Sequence, residues 1–242
     1  MDIGKSFSYV FEDKKWIEKV LIGGLVSLIP FLGTFLIDGY VVELVRNVRR
    51  HDPTPLPEWD NWGEKLTEGL KLFVILFIWS LPLIFLGILS FFPLAMSGDS
   101  DSSGILGVFG LCISCFLFFY TIIYFLVMPA IVIRYAETGD IASGFQIGEI
   151  FDFTKSHLGE IIIYVIVLWL AGFVAGLVGI LLCGIGLIFT MFWATLVSGH
   201  LLAQIGLKPA PATPAGPTPI ADPEPTAELP EPFESLPPKD ED

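Results

Sequence analysis

The chain of 242 residues is too apolar for a soluble globular protein: 53% of its residues are hydrophobic, only 16% are charged and the mean hydropathy is +0.72, whereas soluble domains carry about 25% charged residues. The net charge of −13, with few and dispersed basic residues, excludes nucleic acid as a partner. The composition predicts an all-α, polytopic helical membrane protein whose first partner is the lipid bilayer.

The first 15 residues predict a short amphipathic helix on the membrane surface. Ile3, Phe7, Val10 and Phe11 fall on one helical face, and lysines and acids fill the rest. The alternative is an ordinary frayed N-terminus. The mixture of lysines and acids at this end of the chain is unlike the start of a cleavable signal peptide.

Residues 17–50 form either a single kinked span or a membrane hairpin that enters and leaves by the same face. Their apolar run, "LIGGLVSLIPFLGTFLI", is broken by Pro30, which cannot donate the helical hydrogen bond. Lysines and arginines favour the cytoplasmic side of a membrane. A hairpin would place all 13 of them on one side, whereas a single span would divide them nine to four. The distribution of charge favours the hairpin.

Four full transmembrane helices follow, because the later apolar runs offer the roughly 20 residues that each bilayer span needs. The predicted spans are residues 72–96, 105–135, 161–182 and 187–205. Residues 97–104, a polar loop without basic residues, are placed outside. Residues 136–160 mix acids, glycines and large apolar residues irregularly, which is typical of short interfacial helices.

The composition changes abruptly near residue 206 and divides the chain into an integral membrane domain, residues 1–206, and a tail, residues 207–242. The tail holds 11 of the 18 prolines and eight acids. Such a segment cannot bury enough apolar surface to offset the entropy of ordering, so a disordered, proline-rich acidic tail is expected. It is either a solvated linker or, through "LPEPFESLPP", a docking site for a soluble partner.

A polar stretch, "PLPEWDNWGEKL", separates the first apolar segment from the second. Its prolines extend the chain, and its two tryptophans can lie together at the headgroup level, where indole rings are enriched. Its acids would then face water. We interpret the stretch as an interfacial anchor rather than a partner contact or a catalytic cluster. The motif residues are Pro57, Glu58, Trp59, Asp60, Trp62 and Gly63.

Ionisable groups inside membrane segments mark candidate transport paths, because burying charge in hydrocarbon is costly. Asp38 and Glu43 lie just past the first apolar run, and His200 and Gln204 share a face near the end of the last predicted helix. None of the four lies near the middle of a predicted span. We therefore favour interfacial hydrogen bonding and helix pairing over transport for this group.

No arrangement of residues in the sequence points to catalysis or to a cofactor. The histidines are far apart, and the nucleophile, metalloprotease and phosphate-loop motifs are lacking. Cys112 and Cys115 form a Cys-x-x-Cys pair, but a zinc site needs four ligands. Both residues, like Cys183, lie within apolar runs, and we expect all three thiols to be buried. The chain is therefore predicted not to be an enzyme.

The motifs "LIGGLVSLIP" and "LPEWDNWG" resemble those of a family of prokaryotic membrane proteins, the domain-of-unknown-function family numbered four thousand and thirteen. The likeness continues through "GFQIGEIFDF" and "CGIGLIFTMFWATLVSGHLLAQ" and covers most of residues 5–205. It implies an integral membrane location and a shared fold. It implies no activity and no catalytic or binding residues.

These observations predict a non-enzymatic scaffold or accessory protein of the cytoplasmic (inner) membrane, with both termini in the cytoplasm. It is a candidate homo-oligomer that would recruit a soluble partner through its proline-rich tail. The alternative is a small transporter or channel whose polar path runs near Asp38, Glu43 and His200. No cofactor and no metal are expected.

Overall fold

The structure is a computed structural model that describes residues 1–96, 103–182 and 184–207, except for the side chains of residues 92–106. These residues form α-helices and one short 3₁₀ helix, and no strand occurs among them. The tail that is predicted to be disordered lies outside this part of the chain from Lys208 onward. The helices are α1 (Ile3–Glu12), α2 (Trp16–Ser27), α3 (Leu32–Arg49), α4 (Trp62–Met96), α5 (Ser103–Thr138), the 3₁₀ helix (Ile141–Phe145), α6 (Ile147–Ser156), α7 (Leu158–Leu181) and α8 (Gly186–Gln204).

Within the described residues, four helices are long and apolar enough to cross a membrane, which confirms the predicted class of polytopic helical membrane protein. They are Trp62–Phe91 of α4, Gly107–Thr138 of α5, and the whole of α7 and α8. The shorter α1, α6 and 3₁₀ helix carry the polar sequences that predicted interfacial helices. The helix α4 begins well before the span predicted at residue 72, because a charged stretch continues the same helix outside the apolar run.

The helices α2 and α3 form the hairpin that the distribution of charge favours, rather than one kinked span. Residues 28–31 turn the chain between them, and Phe31 at the tip is 82% exposed. Lys19, near the start of α2, and Asn47, near the end of α3, both donate to carbonyls of residues 55–57. Both arms therefore meet the same side of the protein. At 1.5 Å per residue they are about 18 and 27 Å long, shorter than the roughly 30 Å bilayer core.

The helix α3 lies at the centre of the fold and packs against both α4 and α8. Glycines allow the backbones of α3 and α4 to touch: a Cβ added at Gly69 would lie 1.7 Å from the carbonyl oxygen of Phe35. On the other flank, Gly199 of α8 lies against the side chain of Leu44. Small residues at such crossings let transmembrane helices approach closely.

The polar segments of the described chain collect at one end of the bundle, which we call the polar end. Arg46 and Arg49, in the last turn of α3, donate to carbonyls at the C-terminal ends of α5 and α8. Glu160, in the first turn of α7, accepts from the backbone just past α8. Segments 50–61 and 139–157, which join these helix ends, therefore lie on the same side as the base of the hairpin.

Away from the polar end, α5 and α7 expose large apolar side chains, as expected of a surface that faces lipid. Phe116 and Phe173 are 70% and 65% exposed. Cys112 and Cys115 are exposed on the same part of α5, so the prediction that these thiols are buried is wrong. An apolar run shows that a residue belongs to a span, but it does not show whether the side chain faces lipid or another helix. Cys183 lies outside the described residues.

Candidate functional site

The motif segment, residues 55–63, joins α3 to α4 and is bonded to the hairpin largely through its backbone. The carbonyl of Leu56 accepts from Lys19 Nζ at 2.9 Å, and the carbonyl of Pro57 accepts from the Tyr40 hydroxyl at 2.7 Å. In return, the indole Nε1 of Trp59 donates to the carbonyl of Lys19 at 2.8 Å. The motif segment thus fastens the base of the hairpin to the start of α4.

The two tryptophans of the motif segment have different surroundings. Trp59 is half-buried and stacks on Tyr40, with ring centroids 4.5 Å apart, and it also faces Phe192 of α8 at 6.0 Å. Trp62 is 43% exposed, and its ring lies 5.3 Å from that of Trp59. Of the two, Trp62 has the exposed position that a headgroup anchor needs, while Trp59 packs inside the protein.

Lys19 of α2 is only 3% exposed and is held by two carboxylates. Its ammonium lies 2.7 Å from Asp13 and 3.2 Å from Glu58 of the motif segment. Burial raises the pKa of the Asp13 carboxyl, but hydrogen bonds from Lys19 and from the backbone N–H of Lys15, together with their charges, outweigh it and leave that pKa below its ordinary value. Glu58 completes the group from the exposed side.

Lys65, in the first turn of α4, is buried in the same way and is 2% exposed. Its ammonium lies 2.8 Å from Glu43 of α3, 3.3 Å from the carboxylate of Asp60 and 3.1 Å from the Asp60 carbonyl. Taking an ammonium out of water costs several kcal/mol unless its hydrogen bonds are satisfied. The acids of the motif segment therefore act as counter-ions for two buried lysines, one on α2 and one on α4.

Sequence reasoning found the motif but missed both lysines. In the sequence, Lys19 and Lys65 count only as charges that favour the cytoplasmic side. The available signal was the surplus of acids in "PLPEWDNWGEKL", because carboxylates beside an apolar segment need cations to pair with. Gly63 has no comparable role: it is exposed, and a Cβ added there would meet no atom within 4 Å.

Two arginines of α3 neutralise the C-terminal ends of other helices, where backbone carbonyls carry partial negative charge. Arg46 Nε donates to the carbonyl of Ala136 at 2.7 Å, and its guanidinium pairs with Glu68. Arg49 donates to two carbonyls at the end of α8 at 2.9 and 3.0 Å and pairs with Glu137 at 2.7 Å. At the polar end, α3 is therefore bonded to α4, α5 and α8.

His200 and Gln204 bond α8 to α1. His200 is 4% exposed, and its Nδ1 lies 2.8 Å from the hydroxyl of Ser6 and 3.0 Å from Nε2 of Gln204. Its ring stacks on Tyr9, with centroids 4.2 Å apart. A hydrogen-bonded serine and histidine can act as nucleophile and base. Ser6 is fully buried, however, so a substrate cannot reach its hydroxyl, and the pair serves as a contact between helices.

The residues of the alternative transport path lie in separate places. Glu43 pairs with Lys65 and His200 with Ser6, whereas Asp38 is half-buried on α3 and has no hydrogen bond or ion pair within the described residues. Gly39, next to Asp38, packs against the backbone of Lys65. Asp38 is therefore level with the charged first turns of α4 rather than with the middle of a span.

An open groove of about 490 Å³ lies beside the motif segment at the polar end. Its walls include Asp13, Lys15, Glu43 and Glu58. The three acids pair with lysines of the same region, and Lys15 pairs with Glu58. Across residues 1–96, 103–182 and 184–207, no group of three or more His, Cys, Asp or Glu side chains is placed to hold a metal ion. The chemistry that this arrangement supports is the joining of helices by buried charge.

Together these features define a multi-pass helical membrane protein with a short N-terminal hairpin, whose helices are joined by paired charges at one end. A family model described as Protein of unknown function (DUF4013) matches residues 22–184, more than half of the chain, and the protein belongs to this family, as its motifs indicate. The matched region contains the motif segment and most of the hairpin but neither α1 nor α8. Neither the curated proteins nor the solved structures gave a match.

Proposed function

We propose that this protein is a non-enzymatic scaffold or accessory protein of the cytoplasmic membrane. The observation that best supports the proposal is the way in which charge is used at the polar end. Lys19, Lys65, Arg46 and Arg49 each bond to at least two groups on other parts of the chain. Groups committed in this way hold helices in place and are poorly suited to relay protons or ions.

The proposal places the polar end and both termini in the cytoplasm, because the hairpin leaves the basic residues on one side. A protein with its native cysteines replaced by serine would carry Lys5→Cys, and intact cells would be treated with a membrane-impermeant maleimide. We expect no labelling until the cells are permeabilised. Ser100→Cys, in the loop predicted to lie outside, is the control that should react at once. Labelling of position 5 in intact cells would show that this end faces the outside, opposite to the proposed orientation.

In this proposal the proline-rich tail recruits soluble partners. Photo-crosslinking in cells should recover soluble proteins with the full chain but not with a chain that ends at residue 206. A chain whose residues 207–242 are scrambled has the same charge and proline content, so it separates a sequence-specific contact from non-specific attraction. Equal recovery from all three chains would remove the tail from the proposal. Mass measurement in nanodiscs would show whether the scaffold is a homo-oligomer.

A small transporter or channel is the second candidate, and Asp38 is the observation that favours it. This half-buried carboxylate has no partner within the described residues, so it is available to bind a cation or a proton. Asp38→Asn should then abolish flux in proteoliposomes. Glu64→Gln, which changes an exposed carboxylate at the same end, should leave flux unchanged. Absence of any flux through the unaltered protein would leave the scaffold as the better proposal.

A further inference from the structure

The contact between α1 and α8 contains a buried histidine, His200, that is hydrogen-bonded to both helices. The backbone of Asp2 fixes the amide of Gln204, because its N–H donates to Oε1 and its carbonyl accepts from Nε2. The other hydrogen of Nε2 points toward the Ser6 hydroxyl, at 2.9 Å, and His200 Nδ1, at 3.0 Å. The Ser6 hydroxyl can give its proton either to Nδ1, at 2.8 Å, or to the carbonyl of Asp2, at 3.0 Å. When it donates to Nδ1, both neighbours of that nitrogen are donors and Nδ1 carries no proton.

A proton on Nδ1 of His200 would disturb this contact. It would face the amide NH₂ of Gln204 at 3.0 Å and would place a charge in a side chain that is 4% exposed. Ser6 can rotate its hydroxyl to accept the new proton, but the amide cannot turn without breaking both of its bonds to Asp2. Protonation therefore removes the bond from Gln204 to Nδ1 and buries a positive charge in the contact between α1 and α8.

Several charged and titratable groups surround His200 on the elements packed against it. They are Asp2 at the start of α1, Lys5, Tyr9 and Glu12 of α1, and His51 and Asp52 of the segment after α3. Arg49 of α3 and Tyr164 of α7 also contact α8, but they bond to Ala203 and Ser198. Those of α1 and of the segment after α3 line an open groove of about 290 Å³ together with His200. Its acids favour a charged imidazole and Lys5 opposes one. His51, the other histidine of this groove, must be tested separately.

We propose that α1 is a pH-sensitive element that docks on α8 near neutral pH and is released when His200 takes up a proton. The docked state binds fewer protons than the released state, so docking weakens as the pH falls. Release would uncover the apolar face of α1 that contains Phe7 and Val10 and open it to a reagent in water. This inference is independent of the scaffold role proposed above.

A thiol at position 10 would report docking, because Val10 is fully buried, whereas Glu12 on the same helix is exposed. Full-length protein without native cysteines would be reconstituted in liposomes with either Val10→Cys or Glu12→Cys. Maleimide labelling rates would be measured from pH 7.5 to pH 5. The ratio of the two rates cancels the intrinsic pH dependence of thiol reactivity. We expect the rate for Val10→Cys divided by the rate for Glu12→Cys to rise about tenfold as the pH falls. A tenfold rise is what the uptake of one proton produces over about one pH unit.

Two matched substitutions test whether His200 is the cause. His200→Asn keeps an acceptor oxygen near the place of Nδ1 but cannot take up a proton, so the ratio should stay constant. His51→Asn makes the same change in the other histidine of the groove and should leave the tenfold rise intact. A flat ratio in the protein with His200, or an equal rise in His200→Asn, would overturn the proposal.

An independent measurement covers the case in which His200→Asn releases α1 at every pH. The imidazole ¹³C signal of His200 can be followed in the protein with its native histidines. We expect this signal to titrate over the same pH range in which the labelling ratio rises. A signal that stays in the neutral form while the ratio changes would show that another group controls α1.

Discussion

Replacing Trp59 by alanine should destabilise the protein far more than replacing Trp62, although the two residues belong to one motif. Removing a buried tryptophan ring costs about 3–5 kcal/mol, and because Trp59 is half-buried we expect about 2 kcal/mol from lost packing. The hydrogen bond from Trp59 Nε1 to the Lys19 carbonyl contributes about 1 kcal/mol more. The expected loss for Trp59→Ala is therefore about 3 kcal/mol.

The corresponding loss for Trp62→Ala is smaller. Its ring is 43% exposed, and its aromatic contact with Trp59 is 5.3 Å between centroids. One such aromatic pair contributes about 0.5–1.5 kcal/mol, so the expected loss is about 1 kcal/mol. Trp59→Phe should lie between the two alanine variants, because it keeps a ring against Tyr40 and loses the hydrogen bond to α2.

The comparison can be made from the apparent melting temperatures of the purified variants in one detergent. For a chain of this size, 1 kcal/mol corresponds to about 2–4 °C. Trp59→Ala should therefore lower the melting temperature by about 6–12 °C, and Trp62→Ala by about 2–4 °C. Equal losses, or a larger loss for Trp62→Ala, would refute the packing argument and would favour a lipid anchor formed by both rings.

Three further changes test the helix contacts at the polar end. Gly69→Ala should block the approach of α3 to α4 and sharply lower the yield of folded protein. Gly63→Ala, with open space around it, should leave the yield and the melting temperature within error or slightly higher. Similar losses for the two variants would contradict the close packing at Gly69. Asp13→Asn should flatten the pH dependence of the melting temperature. The Asp13 carboxylate stabilises the folded state fully above its unfolded pKa of about 4. This contribution is lost as the pH falls through the lowered pKa of the folded state. Melting curves from pH 7 to pH 3 would check this, and parallel curves for both proteins would count against the buried pair with Lys19. Arg49→Met should speed hydrogen exchange in the last turn of α8, whereas Arg50→Met, which changes an exposed residue, should not.

The number of spans and the hairpin could be predicted from the sequence because both follow from properties of single segments. Bilayer thickness sets the length of an apolar run, and Pro30 together with the distribution of basic residues marks the turn of the hairpin. Bilayer thickness alone does not give the start of α4, since Trp62 begins a charged stretch that continues the helix beyond the apolar run. Local signals do give it, because Asp60 or Asn61 can cap a helix that Glu64, Lys65 and Glu68 continue. The exposure of Cys112 was out of reach, because it depends on which neighbour α5 packs against.

The candidate site could be predicted only as a list of residues. Composition and spacing single out the motif segment, but its partners Lys19 and Lys65 lie on other elements, and no periodicity within one segment reveals a pairing between segments. The contact between Ser6 and His200 spans 194 positions in the chain. Its meaning appears only when α1 and α8 are brought together, since each residue alone is an ordinary polar side chain near a membrane.

The position of the motif segment beneath the hairpin also sets an order of events during synthesis. The ammonium of Lys19 bonds to a carbonyl made 37 residues later. At about 5–20 residues per second, Lys19 is made about 2–7 seconds before that partner. During this interval Lys19 has Asp13 to pair with but lacks its partners Leu56 and Glu58, so the short first arm has little to hold it in place. We therefore expect Lys19 to be open to labelling in nascent chains that are arrested before the motif segment leaves the ribosome. In chains arrested after the motif segment has left the ribosome, Lys19 should be protected.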